Sequence, residues 1–181
     1  LNVYDKHPFK VILDYAHNPA AVKMVCDVVD RYDINGRKIV VLTIPGDRRD
    51  EDALEVAKIA AGRFDHYICR RDDNLRGRGS REIPELLRKG LIEGGVSEDQ
   101  IEIIESEEEA NEAALEMARG GDLLLILADQ GTRSWKQIIY FQPGEDVVSD
   151  DTERPAVEIP EEFLDSFTFG LAVPGEVLRP L

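Results

Sequence analysis

The feature that most constrains this chain is an alternation. Short runs of branched apolar residues (Val11-Ile12-Leu13, Ile39 to Ile44, His66 to Cys69, Ile101 to Ile104, Leu123 to Leu127) are separated by stretches with helical spacing. Several of the runs are apolar at consecutive positions, the pattern of strands covered on both faces. The stretches between them carry helix signals. Asn18-Pro19 supplies an N-cap and a first-turn proline, and Val22, Val25, Cys26, Val28 and Val29 form an apolar side. A second helix is expected from Glu51 to Ala61, with Leu54, Ala57, Ala60 and Ala61 inward. Ser80 is placed to cap a third, carrying Ile83, Leu86, Leu87 and Leu91. Ser106 and Glu109 read as a capping box before Ala110, Ala113, Ala114 and Met117. A last helix follows Gly131, through Trp135, Ile138 and Ile139, with Trp135 read as a packing residue. Strand and helix repeated in this way predict an α/β fold with a doubly wound, mainly parallel sheet.

At 181 residues with 43% hydrophobic content, the chain is long enough for one substantial core. Two organisational units are expected, an α/β domain over 1–141 and an acidic tail over 142–181. Ten acidic residues in that tail face Arg154 and Arg179 alone, and prolines 143, 155, 160, 174 and 180 punctuate it. Phe163, Leu164, Phe167, Phe169 and Leu171 give the tail more apolar content than a purely disordered segment needs, so it is expected to be loosely structured or docked. A net charge of −15 argues against non-specific nucleic-acid binding, which needs an excess of Lys and Arg. No apolar run approaches the roughly 20 residues of a membrane-spanning helix. Cys26 and Cys69 sit in apolar stretches and are read as buried reduced thiols of a cytoplasmic protein. The opening Leu-Asn-Val-Tyr lacks a Met and reads as a cut inside a longer protein.

In a doubly wound sheet, ligands bind beyond the carboxyl ends of the strands, so the residues after each strand carry the functional reading. They are Asp14 to Pro19, Pro45 to Asp50, Arg70 to Arg78, and Ala128 to Arg133. All four segments are polar and all should open on one rim. Asp14 could accept both hydrogen bonds of a sugar diol. His17 and Asn18 lie at a helix N-terminus, a natural place for a polar or anionic ligand, although an N-cap and a solvated turn explain them equally. The second segment, with Asp47, Arg48 and Arg49, and the third, with Arg76, read by themselves as solvated, self-paired charge clusters.

The string Asp14-Tyr15-Ala16-His17-Asn18-Pro19 resembles the DYAHTP or DGAHNP motif of the Mur ligase and folylpolyglutamate synthetase superfamily. GDRRDED at 46–52 and RGR at 76–78 follow in the same order, and the GDRRDED form is most similar to cyanophycin synthetases. The likeness spans Val11 to Phe141 and implies the Rossmann-like C-terminal domain of these enzymes. It implies that Asp14 holds the ribose of ATP while Tyr15, His17 and Asn18 border the base. It places Arg48 on the incoming amino acid. Asp73-Asn74-Leu75-Arg76 resembles the amino-acid-reading DNPR motif, with Leu75 in place of proline. Arg76 and Arg78 would then grip an α-carboxylate, and Asp72, Asp73 or Glu82 would meet a guanidinium.

The activity so implied is formation of an amide bond through an acyl phosphate, using ATP and Mg²⁺. The resemblance points to arginine being added to the side chains of a poly-aspartate acceptor. The metal, phosphate loop and activating residues would lie in preceding domains of the same chain, with this domain acting as a lid. A homo-oligomer is expected of the full enzyme, and the isolated domain is expected to be inactive. No Gly-x-x-x-x-Gly-Lys-Ser/Thr loop occurs here, and the His and Cys residues lack metal-ligand spacing. Two other readings stay open: a non-catalytic binding or assembly module, and the lid of a Mur-type ligase for another amino acid.

Overall fold

The computed structural model describes residues 1–144, so most of the tail expected at 142–181 lies outside the described residues. Among the described residues six strands form one sheet: β1 (Asn2–Tyr4), β2 (Lys10–Asp14), β3 (Lys38–Leu42), β4 (His66–Cys69), β5 (Ile101–Ile103) and β6 (Leu123–Leu127). Five helices cover it: α1 (Pro19–Val29), α2 (Asp50–Ala60), α3 (Glu82–Glu93), α4 (Glu107–Met117) and α5 (Gly131–Tyr140). The strand order is β1-β2-β6-β3-β4-β5. All pairs are parallel except β1 with β2, where Val3 sits opposite Ile12. β1 was not foreseen because it has three residues, an exposed Val3 and no apolar run.

Alternate residues of each strand feed two separate cores. Ile12, Val40, Leu42, Tyr67, Cys69, Leu125 and Leu127 pack with Val22 and Cys26 of α1, Ala53 and Ala57 of α2, and Leu87 and Leu91 of α3. Val11, Leu13, Ile39, Val41, Ile68, Leu124 and Ile126 pack with Ala110 and Ala114 of α4 and Ile138 of α5. Each fully buried Val, Leu or Ile contributes about 1.5–3 kcal/mol relative to exposure. β6 lies between β2 and β3, and all five of its residues are buried. Its unbroken Leu-Leu-Leu-Ile-Leu run therefore reports a central strand rather than a half-exposed one.

The helix signals met different outcomes. Asn18 caps α1 as read, its Oδ1 accepting from Ala21 N at 3.0 Å. Ser106 accepts from Glu109 N at 3.2 Å, while the reciprocal box forms at Ser97 and Gln100 instead. Ser80 does not cap α3. That helix begins at Glu82, whose N–H is already taken by the Gly79 carbonyl at 3.2 Å in the preceding turn. On α2 the buried stripe is Ala53, Val56, Ala57 and Ala60, with Leu54 half-buried. Gly90 explains the close approach of α3 to this stripe, since a Cβ there would lie 2.6 Å from the Ala57 Cβ and 2.9 Å from the Leu54 carbonyl oxygen.

At the amino ends of the parallel strands, Asp122 closes the floor of the sheet. It is 3% exposed and accepts from Arg37 N at 2.7 Å, from Arg119 N at 3.0 Å and from the Arg37 guanidinium at 2.7 Å. Gly36 is required beside it, because a Cβ there would sit 2.4 Å from the Asp122 carboxylate.

Candidate functional site

The chain advances from β2 through β3 and β4 to β5, then returns to β6 between β2 and β3. The connection after β2 leads to α1 on one face of the sheet, and the one after β6 leads to α5 on the other. Diverging connections of this kind open a crevice at the carboxyl ends of neighbouring strands. Asp14 ends β2 opposite Leu127, and Ala128 N–H donates to the Asp14 carbonyl at 2.9 Å. The first and fourth loops therefore start from a common fixed point.

In the first loop the Asp14 side chain is 16% exposed, and its ion-pair partner is the amino group of Leu1 at 2.9 Å. Among the described residues no side chain donates to it. Tyr15 is 59% exposed and packs on the His17 ring with centroids 4.9 Å apart. His17 Nδ1 lies 2.9 Å from the Tyr15 carbonyl oxygen, which fixes the imidazole against the loop. The Asn18 Oδ1 serves the helix cap, so that oxygen is not available to a ligand.

The second and third loops form one clamped unit. Arg78 donates to the carbonyls of Gly46 at 2.6 Å and Arg48 at 2.7 Å, and it pairs with Asp50 at 2.7 Å. Its fork is thus occupied in joining the two loops. Arg76 donates to Asp47 at 2.8 Å and lies 3.4 Å from Asp72. The Asp47 hydrogen bond holds Arg76 above its ordinary pKa, helped by the charges of Asp47 and Asp72. The same hydrogen bond holds the Asp47 carboxyl below its usual range. Arg76 has φ +49°, a left-handed conformation that a side chain makes costly, and Gly77 follows at φ +91°. Strain of this kind persists where surrounding contacts over-determine it. Here Asn74 Oδ1 accepts from Arg76 N at 3.2 Å, and Asp72 Oδ1 accepts from Asn74 N at 2.8 Å. Arg48 is exposed, and its guanidinium has no hydrogen bond or ion pair among the described residues. Glu82 is 56% exposed and approaches Arg78 at 3.7 Å.

Beneath this rim lies a buried ionic cluster that the sequence did not reveal. Arg70, at the end of β4, is fully buried. It donates to Glu107 at 2.8 Å, Asp129 at 2.9 Å, the Leu127 carbonyl at 2.7 Å and the Arg71 carbonyl at 2.7 Å. Glu107, also fully buried, accepts from Asp129 N at 2.7 Å, Gln130 N at 3.2 Å, Ser134 Oγ at 2.8 Å and Arg133 at 3.1 Å. One carboxylate from the first turn of α4 thereby caps α5, whose own N-cap residue Gln130 makes no side-chain cap. Arg133 continues to Asp73 at 2.5 Å. Burial pushes the Asp73 carboxyl up, but the Arg133 and Glu107 N–H bonds and the Arg133 and Arg70 charges outweigh it and leave it below its usual range. Burial pushes Asp129 up despite Arg70.

Glu107 gave no local signal, since it is one of four acids between Glu105 and Glu109. Arg70 did carry a usable one. A cation directly after a buried strand cannot be left unpaired, so an acid had to come from another element. Cys26 and Cys69 are free and buried. Burial pushes the Cys26 thiol up to about 11 and the Cys69 thiol higher still, which suits inert packing rather than chemistry. Among the described residues no group of three or more His, Cys, Asp or Glu could hold a metal ion, and no helix is long and apolar enough to cross a membrane.

A family model described as the Mur ligase glutamate ligase domain matches residues 1–129. The cyanophycin synthetase of Geminocystis herdmanii is 36% identical over 138 residues, which is 76% of this chain and 15% of that protein. That of a Nostoc species is 37% identical over 139 residues, again 76% of this chain and 15% of the relative. The structure of E. coli FolC in complex with DHPP and ADP superposes with a TM-score of 0.57 at 21% identity, covering 75% of this chain and 29% of that one. The chain belongs to the Mur ligase family, as its glutamate ligase domain. It spans about 15% of the length of the cyanophycin synthetases it matches.

Proposed function

We propose that this chain is the C-terminal lid domain of an ATP-dependent amide-bond ligase of the cyanophycin synthetase kind, one that adds arginine to the side chains of a poly-aspartate acceptor. The observation that carries this reading is the unequal satisfaction of the rim. Among the described residues Arg48 has no side-chain partner, Glu82 only approaches Arg78 at 3.7 Å, and Asp14 meets no side-chain donor but only the Leu1 amino group at 2.9 Å, while Arg70, Glu107 and Arg78 beneath and between them are each held by several partners. Unmet charge on a rigid base is what a binding site needs. In this reading Asp14 accepts from the ribose diol, Tyr15 and His17 offer an aromatic edge to the base, and Arg48 and Arg76 take the amino acid's carboxylate. These residues fit the nucleotide, since a carboxylate with no side-chain donor stands beside an exposed ring. A solved structure of the same fold carries ADP, which supports nucleotide use. ATP supplies the phosphoryl group that activates the acceptor carboxylate, and Mg²⁺ is assigned to preceding domains. The lid's own contributions are to orient the amine and to exclude water from the acyl phosphate.

The guanidinium falls to Glu82 in this account, because Asp73 is engaged by Arg133. A carboxylate reads the planar fork of arginine in two places and an ammonium in one. Glu82→Gln in the parent enzyme should therefore lower the ratio of kcat/KM for arginine over lysine by about tenfold, the worth of one hydrogen bond to a charged group. Asp73→Asn should leave the ratio within about twofold, a change of less than about 0.5 kcal/mol by the tenfold-per-1.4 kcal/mol relation. The engagement of Asp73 also favours a second reading, a lid for an amino acid without a guanidinium. An arginine-to-lysine ratio near one in the unmutated enzyme would select it.

A further inference from the structure

The third loop is held at two places: Arg76 and Arg78 tie it to the second loop, and Asp73 ties it to the helices beyond the sheet. Its backbone is turned by Asp72 and Asn74, and Arg76 is strained, yet it contacts the helices beyond the sheet through Asp73. Asp73 Oδ2 receives Nη2 of Arg133, and its Oδ1 receives Glu107 N–H at 3.4 Å. The same Arg133 nitrogen also donates to Glu107 at 3.1 Å. Glu107 is in turn immobilised by the Arg70 guanidinium, by two backbone amides at the start of α5, and by Ser134, whose oxygen accepts from Asn111 at 2.9 Å. A continuous chain of charged hydrogen bonds thus runs from a fully buried carboxylate through Arg133 to the loop that carries Arg76 and Arg78. Arg133 touches neither of those arginines, and its own side chain is 37% exposed.

We propose that Arg133 is a positioning residue for amino-acid binding: anchored on Glu107, it holds Asp73 and so sets where the third loop presents Arg76. This deepens the ligase reading and rests on it for the amino acid, but not for the anchoring itself. Glu107 is a poor test position, because its loss leaves the buried Arg70 with Asp129 as its remaining carboxylate and takes the acceptor from the Asp129 and Gln130 amides, which attacks the fold. Arg133 is a clean one, because it is partly exposed and its removal strands no buried charge.

Two readouts separate the claims. In the 181-residue chain, Arg133→Met should speed hydrogen exchange at the loop amides of Asn74, Arg76 and Arg78 by at least about tenfold, with the amides of β6 unchanged, as local opening costs less than global unfolding. All three amides are hydrogen-bonded in the native loop, so their protection is measurable. Arg133→Lys should restore part of it. Unchanged exchange at those amides in Arg133→Met overturns the proposal. In the full-length parent enzyme the same variant should raise KM for the amino acid about tenfold, with KM for ATP and kcat within about twofold, a loss of ground-state positioning. A normal amino-acid KM, in an enzyme where Asp14→Ala still raises the ATP KM, would reject the positioning role while leaving the ligase reading intact. If Asp14→Ala has no effect either, the ligase reading of the rim fails, and the exchange result alone decides the anchoring.

Discussion

The two ends of the sheet each bury a carboxylate, and they use it differently. At the floor, Asp122 gathers two amides and the Arg37 guanidinium, and the contact closes on itself. At the rim, Glu107 and Arg70 also pair while buried, but the network continues outward through Arg133 and Asp73 to exposed groups. The partner cations also differ. Arg37 is 44% exposed and can return to water, whereas Arg70 is 0% exposed and cannot. The floor acts as a fastening. The rim cluster acts as a foundation, on which Asp14, Arg48 and Glu82 stand with charge left over. A buried ion pair is weak evidence for stability by itself, so what it carries is the more informative question.

The contrast in partners predicts unequal costs for the same substitution. Glu107→Ala should destabilise the chain by about 3–5 kcal/mol, since it breaks a fully buried ion pair, leaving Arg70 only Asp129, and takes the acceptor from the Asp129 and Gln130 amides. Asp122→Ala should cost less, about 1–3 kcal/mol, because Arg37 rehydrates and the main loss is the amides left unpaired. Denaturant titration of both variants decides the order, and equal costs would erase the distinction between fastening and foundation.

A smaller effect separates strain from stability at the rim. Arg76→Gly removes the side chain from a φ of +49° that glycine adopts freely, whereas Arg76→Ala keeps the strain. The glycine variant should be more stable than the alanine variant by about 1 kcal/mol. Both should bind the amino acid equally poorly, because both lose the guanidinium. If glycine is the less stable of the two, the left-handed turn is not a strained one.

How much of this was legible beforehand follows from the range of the interactions involved. The five apolar runs, the capped start of α1 and the placement of four polar loops on one rim follow from local pattern, because period and capping are local properties. β1 escaped because a three-residue edge strand has no pattern of its own. On α2 the buried stripe takes in Ala53 and Val56, which the spacing had not selected, and Leu54 stays half-buried. At the site, Arg48 and Glu82 sit exposed and Asp14 lies half-buried beyond the carboxyl ends of the strands. Arg78 and Asp73 look the same in sequence but are already paired, with backbone carbonyls 32 and 30 residues away and with Arg133, 60 residues away. Which charges a protein satisfies internally depends on such long-range pairings, and one-dimensional spacing does not encode them.

The most direct test of the account is the ATP KM of the full-length parent enzyme carrying Asp14→Ala. The account assigns Asp14 a ligand contact, since no described side chain donates to it and its one ion-pair partner is the Leu1 amino group at 2.9 Å. It predicts a KM for ATP raised roughly ten- to a hundredfold, the worth of a hydrogen bond to a charged group, with the Tm unchanged. An unchanged KM alongside a lowered Tm would contradict it, and would make Asp14 part of the fastening rather than the site.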